Sequence, residues 1–161
     1  MAVIAVTGHR DLTGGSVPLV REALVALLGV YAGDGLTGVS CIAEGADALF
    51  ADVVLGLGGR LVVVVPSRDY REAQAEAGCV AEFDRLRRAA AEVVVMPYAE
   101  ADGEAYAAAN RELFRRADRL VAVWDGRPGN GRGGTADAVA EAGERGLLVE
   151  VVWPDGAARL G

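Results

Sequence analysis

The chain has 161 residues, 52% of them hydrophobic, and a formal net charge of −7. This length fits a single domain, 1–161, able to bury about 70% of its unfolded surface, while Gly, Asp, Arg or Pro breaks every apolar run well short of the roughly 18 residues that cross a bilayer. The negative balance disfavours a nonspecific nucleic-acid surface, which needs clustered cations to neutralise phosphates, and an inventory with sixteen Arg, no Lys and His9 as the only His excludes a P-loop lysine, a Schiff-base lysine and a two-histidine zinc site.

The apolar run at 2–6 is expected as a first strand, ending in Thr7-Gly8-His9-Arg10. No basic leader precedes it, which reads as a cytoplasmic chain. Ser16 and Pro18 open a helical pattern that places Val20, Leu24, Leu27, Leu28 and Tyr31 on one face. Residues 33–38 are read as a break and 39–42 as a second strand. Ala43-Glu44-Gly45-Ala46-Asp47 then leads into a helix carrying Ala48, Leu49, Ala51, Asp52 and Val53.

A third strand is expected over 61–65, a continuous Leu/Val run suited to a sheet buried on both faces, with Pro66-Ser67-Arg68 as loop. Residues 70–90 read as helical with an interruption at Gly78 and an apolar stripe at Val80, Phe83, Leu86 and Ala90. A fourth strand over 93–96 precedes a helix from Asp102 or Gly103 to Ala117. Its repeating face holds Tyr106, Asn110, Leu113 and Phe114, with an amide among apolar neighbours. A fifth strand covers 120–124, a helix 134–145, and a sixth strand 147–153. Cys41 and Cys79 have neither metal nor redox spacing and are expected as small buried hydrophobes. No metal and no cofactor is expected.

Strands of nearly pure Val, Leu, Ile and Ala alternating with helices point to an α/β fold with a mainly parallel sheet of about six strands, covered on both faces. Ligands in such folds sit at the carboxyl ends of the strands. The stretch 125–135 is the main candidate. Gly126, Gly129, Asn130, Gly131, Gly133 and Gly134 all tolerate positive φ, so the backbone there can fold its amides into a nest for an anion. The helix that follows offers unpartnered amides at its positive end, with Thr135 and Arg132 as further donors. A glycine-rich turn without a ligand is the plainer alternative. The spacing of Gly129, Gly131 and Gly134 also matches a dinucleotide fingerprint, but that fingerprint belongs after the first strand.

Three further groups could serve a ligand. His9 and Arg10 could meet a base or phosphate, Glu44 and Asp47 could hold ribose hydroxyls or act as acid and base, and Tyr106 with Asn110 could close over a base. Each also has a purely structural reading: backbone capping, a helix-start acid, a packed ring.

Together Thr7-Gly8-His9-Arg10, Ala43 to Asp47, Tyr106 with Asn110 and Arg111, and Trp124-Asp125-Gly126 through Gly131 to Asp137 resemble the SLOG superfamily over about residues 3–153. That Rossmann-like group includes the DNA-processing protein Smf and the LOG cytokinin-activating enzymes. The resemblance implies a three-layer sandwich that binds a nucleotide or nucleotide derivative, as a sensor or regulatory protein and as a homodimer or larger assembly. It implies ligand contacts from Gly8, His9, Arg10, Glu44, Gly45, Asp47, Asn110, Asp125, Gly131, Arg132, Gly133, Gly134 and Thr135. The Phe83 and Leu86 stripe is a candidate dimer patch. LOG enzymes carry P-G-G-x-G-T-x-x-E; here Ala138 stands where that motif has its Glu. Catalysis as a nucleotide N-glycosidase is therefore the alternative, with Glu44 and Asp137 as the available carboxylates.

Overall fold

The computed structural model describes residues 1–129 and 133–161. Six strands are β1 (Ala2–Gly8), β2 (Leu36–Ser40), β3 (Arg60–Val65), β4 (Glu92–Val95), β5 (Arg119–Val123) and β6 (Leu148–Val152). The main helices are α1 (Ser16–Gly29), α2 (Ala46–Gly56), α3 (Tyr70–Glu76), α4 (Val80–Ala89), α5 (Gly103–Arg116) and α6 (Thr135–Glu144). All strand pairs are parallel, in the order β4-β3-β2-β1-β5-β6.

Alternation along the strands builds the three layers. In β1, Ile4 and Val6 join a core cluster with Val20, Leu24 and Leu28 of α1 and Phe50 and Val54 of α2. Ala5 points the other way, into a cluster with Leu113 and Phe114 of α5 and Ala138 and Ala142 of α6. β3 divides in the same manner, Val62 and Val64 toward α5, Leu61, Val63 and Val65 toward α2, Phe83 and Leu86. Strands covered on both sides have no solvent face, hence the unbroken apolar runs.

Three expectations need correction. β2 starts at Leu36 rather than Val39, because Gly38 is a strand residue. A Cβ there would lie 2.7 Å from Val54 Cγ2 and 3.0 Å from Phe50, so its missing side chain lets α2 press onto the sheet. The interruption expected at Gly78 is present, with φ +79°, and parts α3 from α4. Phe83 and Leu86 are fully buried against α2 and β3, so the stripe is core and offers no dimer patch. At the other end, β1 runs two residues past Val6, because Thr7 and Gly8 pair with Ala122 and Val123 of β5. Among the described residues no helix is long and apolar enough to cross a membrane.

Candidate functional site

From β1 the chain builds outward to β4 on one side, then returns to place β5 and β6 on the other. The loops leaving the carboxyl ends of β1 and β5 therefore diverge, which opens a crevice at the switch point. A cleft of about 410 Å³ lies there, between the loops after β1, β2 and β5 and the starts of α2 and α6. Among the described residues that line it are three arginines, Arg10, Arg127 and Arg159, against two aspartates, Asp11 and Asp47. The cleft is locally cationic in a chain whose net charge is −7.

At the β1 end, close backbone approach sets the geometry. A Cβ on Gly8 would stand 2.4 Å from Ala46 Cβ, and one on Gly45 2.6 Å from the His9 carbonyl oxygen. Gly45 also has φ +81°, which other residues rarely adopt. These two glycines let the start of α2 seat on His9, whose carbonyl accepts the Ala46 N–H at 3.1 Å. The His9 ring is buried, edge-on to Trp153, and its Nε2 accepts the Asp125 N–H at 3.1 Å. An accepting Nε2 means the neutral ring carries its proton on Nδ1. Burial lowers the His9 pKa, Arg159 lowers it further, and the Asp125 carboxylate opposes both. His9 thus joins the loops after β1 and β5. Arg10 stays at the surface, its guanidinium 4.9 Å from the centre of the Tyr106 ring.

The loop after β2 is strained. Ile42, β-branched and buried, has φ +48°, a conformation that costs on the order of 1–3 kcal/mol. Ser40 holds it: its hydroxyl accepts the Ile42 N–H at 3.0 Å and donates to the Asp47 carbonyl at 3.0 Å. The strained loop brings Cys41, Ala43 and the Asp47 side chain to the cleft wall, beside Tyr70. Burial raises the Asp47 carboxyl to about 7, with Arg10 and a hydrogen bond from the Ala43 backbone pulling it down. Glu44 turns away from the cleft lining and accepts a hydrogen bond from the Cys79 thiol at 3.2 Å. Cys79 is therefore a half-exposed donor rather than a buried hydrophobe, while Cys41 is buried as expected.

The β5 end supplies the amides. Gly134 is the N-cap of α6, with no side-chain cap, and its carbonyl accepts the first helical bond from Ala138 at 2.9 Å. Thr135 and Ala136 both line the cleft, and as first-turn residues of α6 their N–H groups have no intrahelical partners. Asn110 on α5 donates to the Gly133 carbonyl at 3.3 Å, and Gly133, with φ +81°, packs so tightly that a Cβ would lie 2.7 Å from Tyr106 Cβ. The amide on the apolar face of α5 is thereby a loop anchor. Of the glycines read as a nest, Gly126 and Gly133 have positive φ, whereas Gly134 is extended at φ −76°. Gly131 and Arg132, together with Asn130, lie outside the described residues.

The structure thus brings Gly8, His9, Arg10, Asp47, Asn110, Gly133, Gly134 and Thr135 to one cleft, with Asp125 behind its rim and Glu44 facing elsewhere. The Asp137 carboxylate accepts the Gly133 N–H, and Ala138 is buried in the α5–α6 cluster. Three polar lining residues escape the sequence reading, Asp11, Tyr70 and Arg159, whereas Arg127 falls within the candidate stretch 125–135. Arg159 had no signal at all, since only a folded chain returns the segment after β6 to the end of β1.

No family model and no curated protein matches this sequence. Similar solved structures carry the same fold at low identity. DNA processing protein A from Helicobacter pylori, described with a single-stranded DNA binding mode, matches with TM-score 0.69 and 16% identity over 98% of this chain and 68% of its own. DNA processing protein A from Streptococcus pneumoniae matches at 0.66 and 17%, over 97% of this chain and 52% of its own. The Moco carrier protein of Chlamydomonas rheinhardtii matches at 0.55 and 20%, over 93% and 74%. This chain thus spans about half of the pneumococcal protein.

Proposed function

We propose that this chain, whose fold is the SLOG-type Rossmannoid sandwich, binds a nucleotide or nucleotide derivative. Phosphate sits on the amides that begin α6 and ribose hydroxyls meet the Asp47 carboxyl. The observation that carries this reading is the uncapped start of α6 opening into the same cationic cleft as Asp47. Backbone amides and a helix dipole at one wall recognise an anion, and a carboxyl at another accepts hydroxyls. Tyr106 and Arg10 provide a flat surface beside them.

A sensor or regulatory role in the cytoplasm, as a homodimer, is part of the proposal. The LOG-type glycosidase is the second reading. Against it stand Ala138, whose buried position holds no carboxylate, and Asp137, whose oxygen is committed to Gly133. Calorimetry with AMP, ADP-ribose and a single-stranded oligonucleotide, beside mass spectrometry of small molecules released on denaturation, tests the reading. Nucleotide binding without oligonucleotide binding is the expected result; binding of the oligonucleotide alone would replace the nucleotide by nucleic acid.

A further inference from the structure

We infer that Arg159, in the segment that follows β6, is a positioning residue that ties the two rims of the cleft together, an inference that rests on reading the cleft as an anion-binding site. The segment folds back along the loop after β1. Leu160 donates its N–H to the Asp11 carbonyl at 2.7 Å and Thr13 donates to the Ala158 carbonyl at 3.0 Å. Ser16, fully buried at the start of α1, accepts the Ala158 N–H at 2.8 Å and donates to its carbonyl at 3.1 Å. These bonds hold the backbone of the segment without the arginine side chain.

The side chain makes a different connection. Arg159 Nε donates to Asp11 Oδ1 at 2.9 Å, on the loop after β1, and Nη1 lies 3.7 Å from Asp125 Oδ2, on the loop after β5. A planar fork reaches toward the two carboxylates from separate nitrogens in fixed geometry, which the single ammonium of a lysine does not reproduce. Asp125 in turn accepts the Arg127 N–H at 3.0 Å and gives its own N–H to His9. From there residues 126–129 lead toward the amides of α6. Pulling on Asp125 therefore sets where the loop over the anion site begins. The groups around the His9 ring are the Asp125 carboxylate, Asp11, Arg159 and the Trp153 edge, so the single histidine of the chain reports on the same junction.

The experiment uses the full chain and two variants, Arg159→Ala and Arg159→Lys, with AMP as probe for calorimetry and the His9 ring signals for an NMR titration without ligand. Expected for Arg159→Ala is an AMP affinity about two- to fivefold weaker, in the range of a partly exposed ion pair. The His9 titration should move up toward its ordinary 6.5, because a neighbouring cation is gone. Arg159→Lys should restore the His9 titration, which needs only charge, but not the affinity, which needs the fork. A His9 titration that does not move in Arg159→Ala overturns the junction whatever binds. Wild-type AMP binding that Arg159→Ala leaves unchanged overturns the positioning role while the nucleotide reading stands. A shifted His9 titration with no AMP binding by wild type overturns the positioning of a ligand site together with that reading, and leaves Arg159 a purely structural tie.

Discussion

The Asp137 carboxylate accepts the Gly133 N–H at 2.8 Å. Gly133 precedes the N-cap Gly134, so this bond fixes the turn that enters α6 and does not cap the first helical amides. Asp137→Ala should therefore destabilise the chain by about 0.5–1.5 kcal/mol, the usual net worth of one hydrogen bond, measured by urea unfolding. With this carboxylate engaged by the Gly133 amide, the proposed binding role predicts that wild type releases no ribose 5-phosphate from AMP above background in a coupled sugar assay. Steady turnover that Asp137→Asn abolishes would promote the glycosidase.

Thr135 opens α6 beside Gly134 at the cleft wall. If its hydroxyl and amide meet phosphate, Thr135→Val removes a hydrogen bond to a charged group, worth about 1.5–3 kcal/mol or roughly 10- to 150-fold in affinity. Calorimetry with AMP reads this directly. Equal affinities for the two proteins would remove phosphate from this wall.

Asp47 makes stability depend on pH. Its folded pKa of about 7 lies above the ordinary 3.8, so between those values the native state holds a proton that the unfolded state has lost. Stability contributed by this group is therefore full below about pH 4, falls as pH rises toward 7, and is flat above. Asp47→Asn should remove that slope and stabilise the ligand-free chain at pH 8, by about 2–4 kcal/mol as an upper range for a shift of this size. Unfolding of both proteins at pH 5 and pH 8 decides it: a gain at pH 5 equal to that at pH 8 would show that the carboxyl is not held protonated.

Gly45 combines φ +81° with a Cβ position 2.6 Å from the His9 carbonyl. Gly45→Ala should cost about 2 kcal/mol or more, from left-handed strain plus the displaced backbone. Gly14, whose Cβ would meet nothing within 4 Å, is the control, and Gly14→Ala should be nearly neutral. Thermal unfolding of the two variants gives the comparison.

Light scattering should report a dimer rather than 16.6 kDa at tens of micromolar, in line with the proposed assembly. Phe83 and Leu86 cannot form its interface, since both are buried within the chain.

What the sequence alone determined was the rhythm of the fold. Pure Val, Leu, Ile and Ala runs at 2–6, 61–65 and 120–123 have no solvent face, so they had to be covered by helices on both sides, and the intervening helical periods supplied the cover. It also determined which residue types stand at the strand ends, because those residues follow the apolar runs directly. Tertiary structure decided the rest. Strand order depends on which helix crosses which face, and no periodicity records that; the placing of β5 beside β1 is what brings Asp125 to His9 and makes one cleft of separate loops. Gly38 read as a break because a missing side chain looks the same in a turn and under a helix. Only the approach of Val54 and Phe50 distinguishes the two. Glu44 and Asp47 are three residues apart in one loop and helix start, yet the left-handed backbone at Ile42 and Gly45 aims one at Cys79 and the other into the cleft. Arg159 reached the site through bonds to residues almost 150 positions away in sequence, a separation that no local pattern can encode.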